Sequence, residues 1–180
     1  MFLSIVGTIG PILVGIAAII ASHFLNRKTL NLKRNEDRVD LINKMLSEFY
    51  GPFQQLRLKS CKLYERFTID KPKDFRTVRV LLGGHKFEGN DKILLEEILE
   101  IGEELQGLIK EKAGLVDDKR LRTEILPEYN KHTTLLKLMY EGKIQGEYDR
   151  FKDDVFPREL DAEIDRRINE LQAELKEIKS

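Results

Sequence analysis

The stretch Ile9–Lys28, IGPILVGIAAIIASHFLNRK, decides how the rest of the chain is read. It is a long apolar run that ends abruptly at two cations. From Phe2 to Leu25 there is no Asp, Glu, Lys or Arg. At 1.5 Å per residue a helix over this run covers about 36 Å, more than the roughly 30 Å hydrocarbon core of a bilayer. A transmembrane helix over residues 1–26 is therefore expected, with His23 near its polar end. A buried core helix would be unusually long for a segment without charge. A cleaved signal peptide needs a basic leader and a small-x-small site. No Lys or Arg precedes the run, and Ile19 stands three positions before Ser22.

The flanks set an orientation. Arg27, Lys28, Lys33 and Arg34 follow the apolar run and form a membrane-interface cluster. The positive-inside rule then puts Met1 outside and residues 27–180 in the cytoplasm, on the inner (cell) membrane. The same cations would meet anionic headgroups. Within the run, Ala17/Ala21 and Ala18/Ser22 make small-xxx-small pairs that let two helices approach closely. Pro11 introduces a bend.

Beyond the run the charges balance, 31 Lys+Arg against 31 Asp+Glu, which argues against a general nucleic-acid partner. Their distribution is uneven. Residues 27–67 carry ten basic and five acidic side chains, whereas residues 147–180 carry seven and eleven. The single cysteine, Cys61, excludes an intrachain disulfide and suits a reducing compartment. Leu, Glu and Lys dominate, and no strand pattern emerges, so the fold class is all-α.

A seam of apolar positions follows the basic cluster: Val39, Ile42, Leu46, Phe49, Phe53, Leu56, Ser60, Leu63 and Phe67, at steps of three and four. Extended backward it reaches Leu32 and Leu25. Residues 27–68 therefore read as a stalk continuing the membrane helix, either packed within the chain or paired in a parallel coiled coil. Ile42, Leu46, Phe49, Phe53 and Leu56, with the small residues of the run, are the candidate helix-association positions. Gly51-Pro52 interrupts the seam, and the expectation is a kink, or a stop at Tyr50 and a restart at Pro52. Residues 69–180 read as a helical bundle. Its helices are expected at 75–82, at 90–113 with Leu94, Ile98, Ile101, Leu105 and Leu108 on one face, at 118–141 bent by Pro127, at 147–155, and from Pro157 to 178.

Catalytic signatures are missing from the sequence. Gly84 and Gly89 have the spacing of a phosphate loop, but Asn90-Asp91 stand where Lys-Ser/Thr is required. Glu128 and His132 are four apart, without the repeated Glu-x-x-His of a bundle metal site. Glu96, Glu100 and Glu103 read as a solvated helix face. Cys61 has no histidine near it in sequence. No catalytic residue, metal or cofactor is assigned, and the chain is read as a non-enzyme.

Several phrases, SEFYGPFQQLRLKS (47–60), LEIGEELQGLIKEKAGLVDD (99–118), HTTLLKLMYEGK (132–143) and FKDDVFPRELD (151–161), resemble a set of uncharacterised bacterial single-pass membrane proteins. These carry an N-terminal transmembrane helix, an FYGPL-like kink and a YPRELD-like turn in a helical cytoplasmic domain. Phe53 and Phe156 replace the Leu and Tyr of those phrases. The resemblance implies architecture and a bacterial inner membrane, and no activity. Gly51, Pro52 and Pro157 take the structural kink and turn roles, and Arg158 is free to pair with Glu159, Asp161 or a partner. The expected function is a membrane-anchored, self-associating scaffold that docks a cytoplasmic protein. The alternative is a pore-forming effector of a bacterial defence system, triggered through the cytoplasmic part.

Overall fold

The computed structural model describes the backbone from Leu3 to Ser180 and the side chains from Ser22 onward, Phe24 excepted. Six α-helices follow one another: α1 (Leu3–Met45), α2 (Gly51–Thr68), α3 (Thr77–Leu82), α4 (Gly89–Glu111), α5 (Leu126–Tyr140) and α6 (Leu160–Lys179). No strand occurs among the described residues, and the fold is all-α. Among those residues no helix is long and apolar enough to cross a membrane. The side chains of the expected span, including Ala17, Ala18 and Ala21, lie outside the described residues. Ser22 is exposed, as are Arg27, Lys28, Lys33 and Arg34 on α1.

Two prolines shape the helices around them. A proline within a helix has no N–H to give, and its ring meets the carbonyl four residues back. Pro52 and Pro127 each follow a five-residue π-turn, Leu46–Tyr50 and Leu121–Ile125. Gly51 N–H donates to the Leu46 carbonyl, and Leu126 N–H to the Leu121 carbonyl, five residues back in both cases. The wider turn gives the ring room and keeps the chain helical on both sides. At Gly51-Pro52 the helix therefore neither stops nor restarts; Tyr50 and Gly51 both keep helical backbone angles. Gly51 is required there, because a Cβ would come within 2.7 Å of the Leu46 carbonyl oxygen.

The seam packs inside the chain rather than along a second copy. Ile42, Phe49 and Phe53 are fully buried, and Leu46 and Leu56 lie against the same core. Their neighbours are Ile101 and Leu105 of α4, Leu121 and Ile125 of the second π-turn, and Leu160, Ile164, Ile168 and Leu171 of α6. Only the part of the expected stalk before Arg38 stands clear; the rest belongs to the bundle. The extra residue in the π-turn also turns Tyr50 inward beside Phe49, with ring centroids 5.0 Å apart at 84°. Such edge-to-face pairs add to the burial energy of the rings.

A second cluster joins Phe67, Leu81, Leu82, Phe87, Leu95, Leu99 and Met139. The connection between α3 and α4 thus delivers Phe87 to a core. Gly84 and Gly89, at φ +78° and +55°, allow the two left-handed bends that bracket it. On α4 the deepest positions are Leu95, Leu99, Ile101, Gly102 and Leu105, so the buried face is broader than the expected stripe. Residues 147–155 hold only a short 3-10 turn, Tyr148–Arg150, in place of the expected helix. Pro157 precedes α6 rather than opening it. It is buried, and its carbonyl accepts the N–H of Leu160, three residues on.

α6 shows how the balanced charges are used. One flank carries Asp161 and Asp165, bonded to Arg57 and Gln54 of α2. The other carries Arg167 and Glu174, paired with Asp117 and with Arg38 of α1, and beyond them Arg166, paired with Asp118. Asp117 is pushed up by burial, yet Arg167 and the Tyr50 hydroxyl hold it below the usual carboxylate range. Gly51→Ala should cost about 1–3 kcal/mol, the range for forced overpacking. Denaturant unfolding of the full chain followed by circular dichroism measures it; an unchanged midpoint would show that the π-turn does not constrain residue 51.

Candidate functional site

Three helices present the same spacing to one space. α2 contributes Arg57, Ser60, Cys61 and Tyr64; α4 contributes Leu95, Ile98, Leu99 and Gly102; α5 contributes Tyr129, His132, Thr133 and Leu136. Each set runs i, i+3, i+4, i+7, one face of a helix. Between them is a cavity of about 550 Å³, closed further by Arg76 and Thr77 of the α3 start and by the α5–α6 connection. Its size falls within the usual range for small-molecule pockets, and so does its lining, apolar with a few polar groups.

The back of the cavity is set by a close approach of α4 to α5. A Cβ on Gly102 would come within 2.6 Å of the Thr133 methyl carbon, so glycine permits this contact. At one end Arg57 is clamped. Its Nε and Nη2 donate to the two oxygens of Asp161 at 2.8 and 3.0 Å. The guanidinium lies 4.3 Å from the Phe156 ring centroid and 6.0 Å from that of Tyr129. This fork-on-carboxylate geometry over an aromatic face is one that Lys could not reproduce. Burial works against the Arg57 charge, but Asp161 outweighs it and the pKa is raised.

Cys61 sits one turn along. Its Sγ accepts from Arg57 Nη2 at 3.3 Å, and its S–H points to Asp161 Oδ2 at 3.7 Å. Burial pushes the thiol pKa up; Arg57 pulls it down, but Asp161 adds to the rise. A thiol held protonated is a poor nucleophile. His132 is fixed by its Nδ1–H, which donates to the Asp154 carbonyl at 2.9 Å. A carbonyl can only accept, so the neutral ring keeps its lone pair on Nε2. Burial lowers the His132 pKa more than the Asp154 contacts raise it. The Asp154 carboxylate itself is paired with Lys131.

Arg57 is engaged by Asp161, the thiol is protonated, and His132 hangs from a backbone carbonyl rather than a carboxylate. Among the described residues no cluster of His, Cys, Asp and Glu could hold a metal ion. One polar group is conspicuous: Thr77, in the cavity wall, has a buried hydroxyl with no hydrogen-bond partner.

The site gathers residues that look unremarkable one at a time. Cys61 and His132 lie far apart in sequence yet line one space. Arg158 also lines it, and its expected partners are taken: Asp161 by Arg57, and Glu159 by Arg120 at 3.6 Å. Of the positions singled out from sequence, the interface cations on α1 and the helix-association residues Ile42, Leu46, Phe49, Phe53 and Leu56 take no part in the cavity, Ser60 of the seam lines it, and Pro157 lies in the smaller neighbouring pocket. The repeated i, i+3, i+4, i+7 pattern on α2, α4 and α5 was the available signal. No protein-family model, curated protein or solved structure matches the chain.

The clamp and the histidine can each be tested through stability. Asp161→Ala leaves a buried guanidinium unpaired and should cost about 2–4 kcal/mol. Arg57→Met leaves a carboxylate that is 42 % exposed and can turn to water, so its cost should be about 1–2 kcal/mol. Unfolding of both variants tests this order; equal costs would mean that stranding the buried guanidinium is no worse than stranding the carboxylate. The histidine responds to acid. His132 has a folded pKa below its unfolded value of about 6.5, so the unfolded chain binds its proton first. Its contribution to stability is present above about pH 6.5 and lost as pH falls from there toward the lowered folded value. The melting temperature should drop across that window in wild type and less in His132→Gln.

Proposed function

We propose that this chain is a membrane-anchored, non-enzymatic interaction protein. Its N-terminal helix holds it in the inner membrane, and its helical bundle binds on the cytoplasmic side. The observation that carries the reading is the continuity of α1. A single helix runs from Leu3 to Met45, with its exposed, basic middle between an apolar beginning and a buried end at Ile42 and Met45. A helix exposed on all sides through residues 25–37 has little packing of its own to hold it, and a bilayer at one end and a core at the other supply that support. The basic residues Arg27, Lys28, Lys33 and Arg34 favour the cytoplasmic orientation.

Self-association enters this reading through the exposed part of α1 and the small residues before it, since the seam beyond Val39 is occupied within the chain. Leu25 and Leu32, 65 % and 56 % exposed and seven residues apart, are the side chains that support it. A cytoplasmic protein partner then docks on the bundle.

The full-length protein should resist extraction from membranes by alkaline carbonate. A reporter fused after Ser180 should be active only in the cytoplasm. Release of the chain into the aqueous fraction, or a reporter active only in the periplasm, overturns the anchor. In detergent the protein should be oligomeric, and Leu25→Glu/Leu32→Glu should shift it toward the monomer while the bundle's melting temperature stays unchanged. A wild-type monomer removes self-association from the proposal. Dye leakage from vesicles holding the full-length protein would favour a pore-forming effector instead.

A further inference from the structure

We propose that the cavity between α2, α4 and α5 binds an amphipathic anion: one apolar body of about 20 non-hydrogen atoms carrying a single acidic head group. The inference rests on the reading of this cavity as a binding site, and needs neither the membrane anchor nor the protein partner.

The size comes from the volume. A dry cavity of about 150 Å³ accommodates one benzene ring, or about 25 Å³ per carbon. The 550 Å³ here then correspond to about 20 non-hydrogen atoms. The apolar body is set by the depth of the site, where Leu95, Ile98, Leu99 and Leu136 supply only hydrocarbon. The exposed part of the lining mixes apolar surface with charge: Val155 and Tyr64, 57 % and 44 % exposed, stand with Glu65, Arg76 and Arg158. Exposed apolar side chains around an open cavity are what an entering apolar body would cover.

The acidic head is set by the charges that remain after pairing. Arg57 is bound to Asp161, Glu65 to Lys62 at 2.9 Å, and Asp154 to Lys131. Of the full charges lining the cavity, Arg76 and Arg158 are left. Both are exposed, and no carboxylate of the described residues pairs with either; Arg76 donates only to the adjacent Phe75 carbonyl, at 2.8 Å. Two unpaired guanidiniums beside an otherwise neutralised apolar cavity match an anionic head, which they can bind in forked hydrogen bonds. The unpartnered Thr77 hydroxyl, next in sequence to Arg76, is a further uncommitted polar group in the lining. Rotation about its χ1 exchanges hydroxyl and methyl and would give a bound head group a further donor.

The test uses full-length protein purified in detergent and native mass spectrometry with two probes of equal length, hexadecanoate and hexadecanol. One equivalent of hexadecanoate should bind saturably, at least tenfold tighter than the alcohol. Arg76→Gln/Arg158→Gln, both on the surface, should bring the acid to within about threefold of the alcohol. Thr77→Val should weaken the acid about five- to tenfold, the effect of one lost hydrogen bond of about 1 kcal/mol or slightly more. The same substitution should raise the melting temperature of the empty protein, because it removes a buried hydroxyl without a partner. Ile98→Trp should abolish both adducts; Leu136→Phe, a smaller filling, serves if that variant does not fold. Equal binding of acid and alcohol overturns the anionic head but leaves the cavity a binding site. Binding of neither probe overturns both readings. Adducts that survive cavity filling are surface adherence and overturn the assignment. Single-chain lysophosphatidate, run beside hexadecanoate, separates a phosphate head from a carboxylate: whichever binds tighter names the source, and binding no tighter than the alcohol by both overturns the proposal.

Discussion

A proline inside a helix offers no N–H and crowds the carbonyl four residues back, and at two places a widened turn that relieves this clash organises the bundle. The π-turns ahead of Pro52 and Pro127 keep α1 continuous with α2 and keep the helix before α5 unbroken. They also add one residue to each buried face. Phe49 and Tyr50 enter the core together from the first, and Leu121 and Ile125 from the second. The two turns belong to one hydrophobic cluster, so each helps fix the other. Straightening either would rotate everything beyond it by about 100°, one residue's turn of an α-helix, and carry the cavity faces of α2 and α5 away from each other.

Much of this was legible in the sequence. The seam from Val39 to Phe67 identifies the buried face of α1 and α2 because helical periodicity is a local property. The helices expected at 75–82 and ahead of residue 178 were legible for the same reason. What the seam packs against was not. Apolar residues at heptad-like spacing suit a second copy as well as α4 and α6 of the same chain, and only the fold distinguishes them. Gly-Pro inside a strong helical pattern announced a disturbance, but a kink, a break and a π-turn all answer the same steric demand. The cavity was illegible for a different reason. Arg57, Thr77, His132 and Arg158 are spread widely along the chain, and each alone reads as an ordinary helix or loop residue.

The charge balance has a structural meaning that the total conceals. The acidic excess near the C-terminus and the basic excess in the first half meet at α6, where Asp161 on one flank takes Arg57 and Glu174 on the other takes Arg38. The Glu174 flank is closed further by Arg167 on Asp117, with Arg166 on Asp118 beside it. Most of these pairs are partly exposed and individually weak. Their arrangement on both sides of one apolar stripe fixes how α6 sits. Arg57 is the exception, because it is desolvated and joins the α6 clamp to the cavity wall.

Between Gly15 and Gly51 the chain has neither glycine nor proline, and α1 occupies nearly all of that interval. Such a helix resists twisting far better than a loop would. A reorientation of the bundle about the axis of α1 would therefore reach the other end as rotation, turning which side of the N-terminal segment faces its neighbours. The same rod works in the opposite sense: whatever grips its first turns sets the azimuth at which the bundle is presented.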